Sequence, residues 1–178
     1  MRGSRGLTGD EIRLVVHFPE SKKPDPIVPK RLIEGVSERV DCFGKVIVEL
    51  NEEEAEAAIR RLLEKDVEAI AVCFLWSFLA PRHEARVKEM IGDIAPDLFV
   101  TVSHELVPKW GEYERTAAVA LNAYIGPLTT GYLAGVANDV KSLGYHQPLQ
   151  ITQCAGGTIS VDRAMAAPLL TLDSGPVA

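Results

Sequence analysis

The stretch VEAIAVCFLW, residues 67–76, decides the fold class. Only Glu68 interrupts an apolar run that is rich in β-branched and aromatic side chains and much too short to cross a bilayer. A strand apolar on both faces belongs in a parallel sheet, whose crossover connections lay helices over each side. The neighbouring residues supply those helices. Upstream, Asn51 with Glu54 three residues later forms a capping-box pattern with Asn as the cap. Ala55, Ala58, Ile59, Leu62 and Leu63 then fall on one face, which predicts an amphipathic helix over residues 52–65. Downstream, Pro81 suits a first helical turn and Gly92 a C-terminal stop, so PRHEARVKEMIG, residues 81–92, is predicted to be a second helix.

LFVTVS, residues 98–103, is the next strand, and ERVDCFGKVIVEL, residues 38–50, reads as two short strands around a turn at Phe43-Gly44. The order strand, helix, strand, helix, strand predicts right-handed parallel crossovers and a small α/β unit over residues 38–103. Further out, EIRLVVHF, residues 11–18, is a candidate strand, and the four prolines of PESKKPDPIVPK, residues 19–30, enforce an extended loop or arm. Beyond the unit, Ala117, Leu121, Tyr124, Leu128, Tyr132, Val136, Val140 and Leu143 recur at helical spacing. They define a long helical segment over residues 115–143 with a kink or break at Gly126-Pro127. PLQITQ (148–153) is then a strand, Ala155-Gly156-Gly157 a turn, residues 161–167 a short helix and LLTL (169–172) a last strand, which together make a second βαβ segment.

Composition excludes several function classes. Of the 178 residues 47% are apolar and 25% charged, which supports a packed core, and the net charge of −6 comes with no basic cluster dense enough to follow a phosphate backbone. No nucleic-acid partner and no membrane partner are expected. Cys42, Cys73 and Cys154 are odd in number and widely spaced, so neither a disulfide framework nor a C-x-x-C metal site is indicated, and a reducing cytoplasm is the expected location. His17, His83 and His146 have no ligand partner at helical spacing, so the metal assignment stays open.

The loop SHELVPKWGEYERT, residues 103–116, gathers His104, Glu105, Glu112 and Glu114 beside Trp110, Tyr113 and Arg115. Two readings stand: Glu112 and Glu114 complement a helix N-terminus, or the loop carries chemistry. Gly156-Gly157 and Ser174-Gly175-Pro176 each follow an apolar strand, and such turns can offer bare backbone N–H groups to a phosphate. Cys154 precedes the first turn but has no base near it in sequence.

Taken in order and spacing, ERVDCFGKV, EAIAVCFLWSFLAPRHE, SHELVPKWGEYERTAAVALNAYIGP, QCAGG and DSGPVA resemble the A-type subunit of the hydantoinase/5-oxoprolinase family. That resemblance covers nearly the whole chain from about Arg13. It implies a ribonuclease-H/actin-like ATPase fold. The first Asp-x-Gly-Gly-Thr phosphate loop is not in the sequence, and the second is expected beyond Ala178, so the resemblance implies an interior piece of a longer polypeptide. On that basis residues 1–37 are an extended N-terminal arm, residues 38–110 an α/β subdomain and residues 111–178 the start of the hydantoinase A domain.

The resemblance further implies ATP with Mg2+ or Mn2+ in the full-length enzyme and none in the fragment. It implies a B-type partner subunit and the rest of the A-type subunit, and a cyclic amide or ketone substrate. Carried over by position, Glu105, Glu112, Glu114, Arg115 and Asn122 are the candidate catalytic residues. Gly156, Gly157, Ser174 and Gly175, with Pro176, are the candidate cofactor-binding turns. Relatives carry Gln-Ser-Asn-Gly-Gly where this chain has Gln153-Cys154-Ala155-Gly156-Gly157, which loses polar groups and tilts the expectation toward ketone carboxylation. A sugar-kinase or chaperone-like ATPase fragment and a non-catalytic assembly module are the alternatives.

Overall fold

A computed structural model describes residues 26–175; the candidate strand at 11–18, most of the proposed arm and Pro176 lie outside the described residues. The strands are β1 (Arg39–Val40), β2 (Val46–Val48), β3 (Ala69–Val72), β4 (Phe99–Val102), β5 (Gln150–Thr152) and β6 (Thr158–Ser160). The helices are α1 (Glu52–Leu63), α2 (Arg82–Ile94), the single turn α3 (Ser103–Leu106), α4 (Glu112–Ser142) and α5 (Val161–Ala166), with 3-10 turns at Lys30–Leu32 and Pro168–Thr171.

The centre of the molecule is a β3-α2-β4 crossover in which the two strands pair in parallel, Ala69 opposite Phe99 through to Val72 opposite Val102. Alternation along the strands sorts their side chains onto two faces. Ile70, Val72 and Val102 pack with Ala55 and Ile59 of α1 and with Val87, Met90 and Ile91 of α2 to make the core. On the opposite face Phe99 and Thr101 meet α4: Thr101 Oγ1 accepts a hydrogen bond from Asn122 at 3.1 Å. A side chain added at Gly126 would overlap the Phe99 ring. The strand pair is therefore covered on both sides, as its apolar sequence requires.

Helix α1 starts where its sequence indicates. Asn51 Oδ1 accepts the Glu54 N–H at 3.0 Å. The reciprocal arm of the capping box is diverted, because the Glu54 carboxylate accepts the Ser37 N–H at 2.8 Å and ties the incoming chain to the helix.

Five local expectations are corrected, each by a competing interaction. The strand expected over residues 67–76 closes at Val72, since the Phe74 N–H and C=O are taken by the side chains of Glu84 and Arg115. Gly92 does not stop its helix: α2 runs on to Ile94, and Pro96, which disfavours helical backbone at Ala95, sets the end. Of the kink or break expected at Gly126-Pro127, the break does not occur. The 31 residues of α4 are continuous, and packing on β3, β4, α5 and the second 3-10 turn outweighs an interior-proline cost of about 3 kcal/mol.

The first strand of the expected crossover series does not join the parallel pair. β1 pairs with β2 as an antiparallel hairpin, closed by Asp41 Oδ1 accepting the N–H groups of Phe43 and Lys45, both at 2.9 Å. Finally, LLTL is a 3-10 turn, so the last segment is a β5-β6 hairpin followed by α5 and that turn rather than a βαβ unit. Pro168 begins the turn, and Asn122 Oδ1 accepts the Leu169 N–H at 2.9 Å, which removes backbone groups a strand would need.

Candidate functional site

In open parallel sheets, ligands collect at the carboxyl ends of the strands, where the connecting loops leave the sheet. Here those loops are residues 73–81 after β3 and 103–111 after β4, and the N-terminus of α4 follows the second. Between them lies a cleft of about 170 Å³, with Trp76 and Phe78 from the first loop, Trp110 and Gly111 from the second, and Glu112 and Arg115 of α4 in its lining. Trp76 adopts a positive φ of 58°, a conformation that costs a bulky residue on the order of 1–3 kcal/mol. The strain falls where β3 turns out of the sheet.

A buried polar network fixes both loops. Glu84, fully buried on α2, has Oε1 accepting the Phe74 N–H at 2.7 Å and the Ser103 hydroxyl at 2.6 Å. Its Oε2 accepts the His104 N–H at 2.9 Å and contacts His104 Nδ1 at 2.8 Å. Arg115, 1% exposed, donates from Nη1 to Ser77 Oγ at 2.6 Å and from Nη2 to the Phe74 carbonyl at 2.5 Å. Its guanidinium lies 5.5 Å from the centre of the Phe78 ring, and its Nε has no partner among the described residues. The Ser77 and Ser103 hydroxyls are 3.1 Å apart. A guanidinium only donates and a carboxylate only accepts, so the hydroxyl protons run one way: Arg115 to Ser77, Ser77 to Ser103, Ser103 to Glu84. Charge at one end of the relay is balanced by charge at the other.

The residues singled out from sequence do not converge on one point. Arg115 lies in the network and braces the loop after β3. Glu105 pairs with Lys88, whose Nζ reaches its two oxygens at 2.8 and 2.7 Å. Glu112 and Glu114 are exposed in the first turn of α4, Glu112 at the cleft and Glu114 with its carboxylate against Gly111. Asn122 is fully buried and joins α4 to Thr101, to the Ala166 carbonyl and to the Leu169 N–H. Gly156 and Gly157 both have positive φ, 86° and 76°, in the β5-β6 loop. The Cys154 N–H reaches the Leu170 carbonyl at 2.7 Å, which draws that loop to the 3-10 turn leading into Ser174 and Gly175. The Cys154 and Gly156 amides, however, already serve internal bonds.

Sequence reading passed over Glu84, Ser77 and Ser103. A signal existed for the first: Glu84 falls on the apolar face of α2 in series with Val87 and Ile91, and a carboxylate there must be met by donors. The serines carried none, since a hydroxyl in a loop is unremarkable until a guanidinium and a carboxylate are found at either end. Among the described residues no group of three or more His, Cys, Asp or Glu side chains is placed to hold a metal ion. No described helix is long and apolar enough to cross a membrane.

A parallel strand pair covered on both faces, with aromatic and charged loops at its carboxyl edge, makes this an α/β domain. The chain belongs to the hydantoinase/oxoprolinase family: its N-terminal region family matches residues 9–95 and the Hydantoinase/oxoprolinase family matches residues 115–178. The acetophenone carboxylase gamma subunit of Aromatoleum aromaticum is 32% identical over 99% of this chain and 25% of its own length. The caprolactamase subunit alpha of Pseudomonas jessenii is 33% identical over 84% of this chain and 22% of its own. The nucleotide-free structure of acetone carboxylase, from work on ATP-dependent acetone carboxylation, superposes with a TM-score of 0.81 at 28% identity, over 93% of this chain and 24% of that one. The chain therefore spans about a quarter of the length of each of these three relatives.

Proposed function

We propose that the chain forms part of an ATP-dependent enzyme subunit of the actin-like ATPase type, which activates a poorly reactive oxygen of a carbonyl compound, enolate or bicarbonate by phosphorylation. The product chemistry is ketone carboxylation or ring-opening amide hydrolysis. The observation that carries this reading is the joint occurrence of family membership over both parts of the chain with two loops fixed at the carboxyl edge of the parallel pair by the Glu84–Arg115 network. The names of the relatives as gamma and alpha subunits support a hetero-oligomer with a B-type partner.

Gly156, Gly157, Ser174 and Gly175 are the proposed nucleotide-facing turns. With the Gly156 and Ser174 amides held by the Gln153 and Thr171 carbonyls, the Ser174 hydroxyl and close backbone approach at the glycines are what they would offer. No metal-holding group of side chains stands among the described residues. ATP, when bound, supplies the phosphoryl group, and phosphoryl transfer depends mostly on positioned charge. What this chain's own residues do is hold the substrate side. Arg115, anchored at both terminal nitrogens, keeps the loop after β3 in place, and Glu112 with Trp110 borders the cleft. Glu105 and Glu114 flank the same edge as orienting charges, and Asn122 locks the 3-10 turn that precedes Ser174 and Gly175 to α4 through Leu169. The exposed Cys154-Ala155 pair gives a substrate few hydrogen-bonding partners, which favours a ketone.

The test is calorimetric titration of magnesium ATP into the chain of residues 1–178, beside phosphate-release assays on the natural longer polypeptide with its partner. The expected result is no binding to the chain alone and release stimulated by a ketone or lactam in the assembly. Tight binding of magnesium ATP by the chain alone would overturn the reading.

A further inference from the structure

Helix α4 carries a long apolar face that the other described residues leave open. With successive residues about 100° apart, Leu121, Tyr124, Leu128, Gly131, Tyr132 and Gly135 fall within an arc of about 100°. The sheet takes the opposite side of the helix, where Asn122 and Gly126 are buried. Tyr124, Leu128 and Tyr132 are 81%, 83% and 68% exposed, and Leu121 lies beside them at 36%. Scattered apolar side chains on a surface need no explanation, but a contiguous apolar strip marks a surface that associates. From Thr116 to Asn138 there is no Asp, Glu, Lys or Arg, so no charge within the strip opposes its burial. The two glycines are notches in it: a Cβ added at either would meet nothing within 4 Å.

The strip is complementary to itself. Tyr124 and Leu128 are bulky and four residues apart, Gly131 and Gly135 are small and four residues apart, and these positions share about 60° of the helix circumference. When two copies of α4 lie antiparallel about a two-fold axis between Thr129 and Thr130, Leu128 of each faces Gly131 of the other, and Tyr124 of each faces Gly135 of the other. A parallel pairing in register would set Tyr124 against Tyr124 and leave the notches empty. We infer that this face of α4 is a homodimer interface whose occupant is a second copy of the chain. Each copy supplies both the knobs and the notches, and the glycines let the two helix axes approach to about 8 Å. The surface buried is on the order of 1,000 Å², the low end for a specific interface, which corresponds to a dissociation constant of about micromolar order. The inference does not depend on the ATP-dependent reading.

Sedimentation equilibrium of the chain of residues 1–178 is expected to show a dimer with a dissociation constant of roughly 1–100 μM, and a chain still monomeric at about 500 μM overturns the proposal. Gly131→Leu combined with Gly135→Leu separates fit from stickiness. Leucine is a better helix former than glycine, and neither site has a neighbour for it to strike, so the variant keeps its fold. Filled notches exclude Tyr124 and Leu128 of the second copy, so dimerisation is expected to weaken at least about tenfold. Association as tight as the parent's, or tighter, shows an unspecific apolar patch and overturns the proposal. Register is read by mixing two kinds of chain in which Cys42, Cys73 and Cys154 are replaced by serine. Chains with Tyr124→Cys and chains with Gly135→Cys are expected to join by a disulfide at least about tenfold faster than either kind joins to itself, because only the mixed pair brings the two thiols within bonding distance. Equal rates overturn the antiparallel pairing and the proposal with it.

Discussion

At the scale of single residues, the arrangement turns on Glu84. A carboxylate with no solvent exposure is tolerated only where donors meet both oxygens, and the donors here come from two loops that are far apart in sequence. Replacing it leaves the Phe74, Ser103 and His104 donors unmatched and removes the counter-charge at the far end of the relay from Arg115. Glu84→Ala is therefore expected to cost on the order of 3–5 kcal/mol in urea unfolding, while Glu105→Ala, which breaks only the exposed pair with Lys88, is expected to cost less than about 1 kcal/mol. Equal effects in the two variants would show that the network is not what holds the loops. Arg115 was visible in sequence as a candidate, but the partners that explain its burial were not. Spacing along one element says nothing about which loop from another element will cover it.

At the scale of elements, capping and periodicity were legible because they depend on residues within a turn or two of each other. The Asn51 cap, the apolar face of α1 and the length of α4 all follow from such local rules. The Gly126-Pro127 pair shows where those rules stop. Read locally it breaks a helix; in the structure Gly126 is where the Phe99 ring of β4 packs directly against α4, with no side chain standing between them. Gly126→Ala raises intrinsic helix propensity, yet it is expected to destabilise the chain by about 1–3 kcal/mol through overpacking. Combining it with Phe99→Leu should recover part of that loss, a non-additivity that thermal or urea unfolding of the two single variants and the double variant would detect. If Gly126→Ala proves stabilising on its own, propensity rather than packing governs the position.

At the scale of the whole molecule, a belt of glutamates joins elements that no shared strand connects. Lys65 and then Arg61 hold Glu34 below the usual carboxylate range. Arg82 does so for Glu49, Arg86 for Glu52 and the Ser37 hydrogen bonds for Glu54. Each folded-state value is depressed relative to the ordinary 4.5, so the stability these groups confer is present above that pH and is lost as pH falls through the depressed values. The melting temperature is expected to be flat above about pH 5 and to decline below it, with a shallower decline in high salt because the pairs are exposed. A decline that Glu34→Gln and Glu52→Gln together leave unaltered would place the acid sensitivity elsewhere.

The sequence by itself determined the α/β class, the Asn51 cap, the parallel β3-α2-β4 unit and the long helix that carries Asn122, because hydrophobic period and capping chemistry act over a few residues. Only the tertiary structure decided that the β1-β2 hairpin stays apart from the parallel pair, that LLTL winds into a 3-10 turn around Asn122, and that Glu84 and His104 meet at the sheet's edge. Those outcomes depend on which backbone groups and charges find partners across the fold, and a buried donor or acceptor takes whatever partner the packing brings to it rather than the one its neighbours in sequence foretell.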